Sequence, residues 1–272
     1  FNPKGPGNYK DVLFLGDSIV FGPGLEYEET IPARLDAMLG PVAVVINGGI
    51  PGMSMMDEVD RLKEIGGLKP ELVILGFYLN DAERSIVLAE EYGNLDEFWV
   101  RNIIRARKRS ALANRVWEGM NAVRLIETHK MKTEWVNYLN QGLWVNDRDV
   151  YERIIELADD DFGSAWRESS WEAIDKGMER FVKECEAVGA RPAAVIFPVS
   201  IQVESSVSDS APQKRFMEIA EKHRVPALDL LPALKKNQEK GIFFDQCHFT
   251  PKGADLSARF IADWLGRERL LK

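Results

Sequence analysis

Cysteine and histidine are scarce in this chain. Cys185 and Cys247 are its two cysteines in 272 residues. That is too few for a disulfide framework, so both read as free thiols, and the redox compartment stays open. The histidines number three, His129, His223 and His248. A zinc site takes three or four protein ligands, and no Cys/His cluster of that size is present. Neither a metal nor an organic cofactor is expected.

Basic residues are in the minority, with 35 Lys and Arg against 43 Asp and Glu, a net charge of −8. A chain this acidic has no basic face for nucleic acid, and nothing draws it to an anionic membrane. No apolar run approaches the roughly 18–20 residues of a membrane span. No signal peptide is visible. The sequence opens at Phe1 and not at Met, so a removed leader or anchor is compatible with it. The localisation is left as cytoplasmic or exported, and the oligomeric state is left open. Internal repeats and low-complexity segments are absent.

What is present is enough apolar residue, 45%, to build the core of a single domain spanning 1–272. Short apolar runs alternate with helical patterns. Val12–Leu15 reads as a buried strand. Thr30 caps a helix that Gly40 stops. Val42–Ile46, Leu72–Leu75, Pro192–Phe197 and Val225–Leu230 read as further strands. Ser54–Ile65, with Ser54 capping and Asp57 three residues on, Trp171–Val188, Gln213–His223 and Ala254–Leu265 read as helices. Strand–helix alternation of this kind predicts a three-layer α/β/α sandwich with about five parallel strands.

The rhythm breaks between 83 and 171. Leu112, Val116, Met120 and Val123 give that stretch a helical period, and it reads as a helical insertion. Trp99, Trp117, Trp135, Trp144, Trp166 and Trp171 fall within it, six of the seven tryptophans. They are expected to pack the insertion onto the sheet more than to line an acyl-binding cap. Val203–Ala211, rich in serine, reads as a loose loop near the site.

The chemistry is expected at Asp11–Gly22, DVLFLGDSIVFG. Gly16 ends the strand, and Asp17 and Ser18 follow at its carboxyl end, where open α/β sheets bind ligands. Serine needs a base to become a nucleophile. Of the histidines, only His248 has a carboxylate at short spacing, Asp245, and a turn signal after it, Thr250-Pro251. An aspartate that accepts a hydrogen bond from the ring would fix its tautomer and stabilise the imidazolium.

Gly16-Asp17-Ser18 together with Asp245-x-x-His248 resembles the SGNH/GDSL hydrolase superfamily. Two further blocks match. Asn47-Gly48-Gly49-Ile50-Pro51-Gly52 is similar to the family's N-x-G-x-x-G, which places the oxyanion-hole glycine at Gly49. The strand LVILGFYLND ends in Asn80 and Asp81, similar to the family's G-x-N-D, although Gly76 stands four residues before Asn80. The resemblance implies a flavodoxin-like SGNH hydrolase fold and hydrolysis of carboxylic, short-chain O-acyl esters. It implies Ser18, His248 and Asp245 as the catalytic set. The oxyanion hole would be Ser18 and Gly49 N–H with the Asn80 amide, supported by Asp17 and Asp81. The partner would be a small ester, an acylated carbohydrate or lipid. O-acyl transfer to a carbohydrate, lipase or lysophospholipase action, and a non-enzymatic binding module are the alternatives. For Gly49 the plainer reading is a turn glycine at positive φ.

Overall fold

Val12, Leu13, Phe14 and Leu15 are fully buried, as a strand covered on both faces must be. They form the middle of β1 (Lys10–Gly16) in a computed structural model of the chain. The structure describes residues 10–65, 68–82, 102–103, 106–107, 109–113, 115–117, 134–159, 161–237 and 241–271. Beside β1 lie β2 (Ala43–Gly49), β3 (Leu72–Phe77), β4 (Arg191–Ile196) and β5 (Ala227–Asp229), all parallel, in the order β2-β1-β3-β4-β5. This is the flavodoxin-like order, in which the strand sequence reverses beside β1. β3 is as buried as β1 along its whole length. It supplies the centre of the core.

Helices cover both faces. α2 (Ile31–Leu39) packs on the helix Pro251–Arg267. α3 (Met55–Ile65) packs on the helix Trp171–Val188, which also meets the helix Ala211–Lys222. The caps are those the sequence offers. Thr30 Oγ1 accepts the Ala33 N–H at the start of α2. At α3, Asp57 reaches back to accept both the N–H (3.0 Å) and the hydroxyl (2.8 Å) of Ser54. Gly189 ends Trp171–Val188 in the left-handed conformation, which glycine adopts without a Cβ penalty.

Within 83–171, His129, Trp99, Met120 and Val123 lie outside the described residues, as does most of 83–133. Leu112 and Val116 are exposed, so this part of the expected apolar stripe does not pack on the described core. Trp135, Trp144 and Trp171 are buried. Trp166 is partly buried, its Nε1–H donating to Asp209 at 3.0 Å. The described tryptophans from 135 onward therefore pack the segment onto the sheet domain. The serine-rich stretch after β4 departs from the loose loop expected of it. It begins inside a short helix, Ser200–Glu204, and its hydroxyls are tied down. Ser205 Oγ donates to Trp144 O (3.0 Å) and Ser208 Oγ to Gln202 O (2.8 Å).

Candidate active site

Three strands carry a glycine at one level, at or next to their carboxyl ends. Gly16 of β1 pairs in register with Gly49 of β2 and Gly76 of β3. The row receives α1 (Ser18–Phe21), the short helix that follows β1 directly. A β-carbon on Gly76 would lie 2.6 Å from Val20 Cγ2, and one on Gly16 2.9 Å from Val20 Cβ. A β-carbon on Gly49 would lie 2.8 Å from the Val20 carbonyl carbon. Larger residues here would lift α1 off the sheet, and Ser18 with it. Gly49 itself sits in ordinary strand backbone, outside the positive-φ glycines. It is glycine for close approach, so the turn-conformation reading is corrected.

Asp17 caps α1. Its carboxylate is fully buried and accepts the Ile19 N–H at 2.8 Å. Ser18 Oγ lies 3.0 Å from His248 Nε2 and 3.4 Å from Asp17 Oδ2. The nearer acceptor is the histidine. On the other side of the ring, His248 Nδ1 lies 2.7 Å from Asp245 Oδ2. Asp245 Oδ1 also accepts the backbone N–H groups of Cys247 (2.9 Å) and His248 (2.7 Å). The D-x-x-H spacing thus folds into a turn that locks the carboxylate against its own histidine. With the Nδ1 proton held by Asp245, Nε2 presents its lone pair to Ser18. Serine, imidazole and carboxylate so arranged can move a proton off the hydroxyl as it attacks an acyl carbon.

The electrostatics follow from these contacts. The Asp245 hydrogen bond raises the His248 pKa above its usual 6.5, against the opposing effect of burial, and the charges of Asp17 and Asp161 add to the rise. Burial works to raise Asp245, but the ring and the two N–H donors prevail and hold it at about 2. Asp17 is pushed up to about 6 by burial, against the Ile19 N–H and the charge of His248.

Asn80 and Asp81 lie in a tight turn, Leu79–Ala82, straight after β3. The carboxyl ends of β1 and β3 flank the point where strand order reverses, so Ser18 and Asn80 bracket the crevice where such sheets bind ligands. Asp81 Oδ2 accepts the Tyr78 N–H at 2.7 Å, which holds the turn. The carboxamide oxygen of Asn80 is buried without a hydrogen-bond partner. Gly49 does not present a free donor. Its N–H donates to Asn47 Oδ1 at 2.9 Å, and Asn47 Nδ2 in turn donates to Val20 O at 3.1 Å.

Three neighbours are not marked by any sequence motif. Asp161 opens the turn Phe162–Trp166, which packs on Leu79–Ala82. Glu58 of α3 is buried, both carboxyl oxygens lacking a partner. Burial, then the charges of Asp81, Asp17 and Asp57, push its pKa well up. Phe244 stacks on the His248 ring. Conversely, His223 is kept by Asp175, 2.7 Å away. Asp245, Cys247 and His248 offer the one cluster of possible metal donors among the described residues. These three are already bonded to one another, Cys247 Sγ lying 3.4 Å from His248 Nδ1. Burial keeps the Cys247 thiol protonated.

A parallel sheet of this order, with the motif blocks gathered at its switch point, defines an ester-hydrolysing enzyme of the SGNH type. The chain belongs to the GDSL-like Lipase/Acylhydrolase family, whose model matches residues 14–256. Among solved structures it is similar to a lipase/acylhydrolase from Enterococcus faecalis, with a TM-score of 0.52 and 15% identity over 95% of this chain and 96% of that one. It is also similar to a catalytic mutant of an acetylxylan esterase from Geobacillus stearothermophilus, with a TM-score of 0.53 and 13% identity over 94% of each chain. At this identity the likeness concerns the fold. No curated protein sequence matches the chain significantly. No described helix is long and apolar enough to cross a membrane.

Proposed function

We propose that the protein is a serine esterase that removes short acyl groups, with Ser18 as nucleophile, His248 as general base and acid, and Asp245 as the group that orients His248. The observation that carries this reading is the continuous chain Ser18 Oγ–His248 Nε2 (3.0 Å) and His248 Nδ1–Asp245 Oδ2 (2.7 Å). His248 takes the hydroxyl proton while Ser18 attacks the acyl carbon. The carbonyl oxygen becomes an oxyanion held by the Ser18 N–H and the Asn80 side-chain amide. Gly49 N–H joins them only when it leaves Asn47. His248 then protonates the departing alcohol. Water, deprotonated by the same ring, attacks the acyl-enzyme and releases the acid and free Ser18.

Short acyl groups are favoured because the described tryptophans from 135 onward are used in packing. Trp135, Trp144 and Trp171 are buried in the core and Trp166 is fixed by Asp209. These four are not left to line a long acyl channel. The test is kcat/KM along a series of p-nitrophenyl esters. A long channel would add about 0.8 kcal/mol per buried methylene. Acetate and its near homologues should be best, and a steady rise with chain length would contradict the small pocket.

A further inference from the structure

Residues 242–250 form a clasp. Phe243 and Phe249 pair as an antiparallel bridge, and Phe244 N–H donates to His248 O at 3.0 Å. Neighbouring residues of extended chain point to opposite sides. Phe243 and Phe249 turn inward and stack on each other, with ring centroids 4.7 Å apart. Phe244 and His248 turn outward and stack as well, 5.5 Å apart and 15° from parallel. Phe244 is 53% exposed. A β-carbon on Gly24 would lie 3.6 Å from its Cζ. With no side chain there, the loop after α1 borders the ring without covering it.

Half of a large apolar side chain is therefore held in solvent beside the Ser18–His248 pair, on a clasp that fixes its place. In ester cleavage the histidine serves the alcohol, because it protonates the leaving oxygen. A group stacked on that histidine lies on the alcohol side of the site. We propose that Phe244 is the wall of an alcohol subsite and selects esters whose alcohol carries a flat apolar face, an aryl ring or the C–H face of a pyranose. This rests on the esterase reading above. Such faces stack on aromatic rings, and the gain is worth about 3- to 10-fold in kcat/KM.

The experiment compares wild type, Phe244→Ala and Phe244→Leu on three acetates of one acyl group: ethyl acetate, benzyl acetate and an O-acetylated methyl pyranoside. Both variants should lower the ratio of kcat/KM for a ring-bearing acetate over ethyl acetate by about 3- to 10-fold. A loss on the benzyl ester or on the pyranoside identifies which ring is read, and either supports the subsite. The midpoint of the acid limb of the pH profile, measured on ethyl acetate, should stay where it is in wild type. The leucine variant keeps apolar bulk without the flat face, so it reports on stacking even where alanine disturbs the clasp. An equal loss on all three acetates, or a moved midpoint, would show that Phe244 acts through His248 and overturn the subsite. A wild type that cleaves none of the three would instead overturn the esterase reading itself.

Discussion

A β-carbon on Gly49 would lie 2.9 Å from the α-carbon of Phe21, and closer still to its amide nitrogen. The end of β2 and the helix that carries Ser18 meet backbone to backbone. Gly49→Ala should therefore displace α1 and cost activity through position, whether or not the Gly49 N–H touches the substrate. Asn47→Ala releases that N–H and also removes the Nδ2 hydrogen bond to Val20 O, so it loosens α1 without the backbone clash that an alanine at 49 would make. We expect Gly49→Ala to lose both kcat and thermal stability. If it melts and turns over like wild type, the close contact does not set the position of Ser18.

The acid limb of the activity profile should report His248. Its pKa is raised above 6.5, chiefly by the Asp245 hydrogen bond and against burial. The ring works as a base only when neutral, so kcat/KM should rise with pH through a midpoint above 6.5. Asp245→Asn removes the charge that holds the proton. Its midpoint should fall, and kcat should drop by about 10³- to 10⁴-fold as the tautomer is lost. An unmoved midpoint would show that another group governs the limb.

Asn80→Ala should lower kcat by about 10²- to 10³-fold with little change in KM, because its amide would act on charge that develops in the transition state. Asp81 beside it already holds the turn through the Tyr78 N–H, so the backbone should survive the change. A normal kcat in Asn80→Ala would assign the oxyanion to other donors.

Glu58 gives a stability prediction of definite sign. Burial, then Asp81, Asp17 and Asp57, lift its folded pKa well above the ordinary 4.5. A raised carboxyl contributes stability in full below its unfolded value and loses it as pH rises through the folded one. Glu58→Gln keeps the shape and cannot ionise. Its melting temperature should match wild type near pH 4.5 and exceed it increasingly on the alkaline side. A pH-independent difference would mean that Glu58 is not the buried neutral acid described here.

Much of this was legible in the residues. Apolar runs such as Val12–Leu15, short and ended by glycine, read as doubly covered strands, and Gly189 stops its helix where the pattern ends. The D-x-x-H spacing pointed to His248 because it alone joins a near carboxylate to a following Thr-Pro turn, whereas His129 and His223 have only a glutamate two residues before them. Other features depend on what the chain meets in space. Glu58 looks like any charged residue of an amphipathic helix, and only tertiary packing buries it, near the charges of Asp81 and Asp17. Gly49 looks like a turn glycine, and its reason is a helix that begins thirty-one positions earlier, at Ser18. Phe244 is one of three phenylalanines in FFDQCHF. The alternation that faces it to His248 needs the bridge between Phe243 and Phe249, which no local pattern reveals.

Covalent labelling tests the assignment of Ser18 as the nucleophile most directly. The intact protein is treated with a fluorophosphonate, digested, and the adduct located by mass. One adduct per chain is expected, on the peptide that holds Ser18, and none in Ser18→Ala, whose kcat/KM on acetyl esters should fall by about 10⁴-fold or more. An adduct on another residue, or a Ser18→Ala enzyme within about tenfold of wild type, would contradict the account.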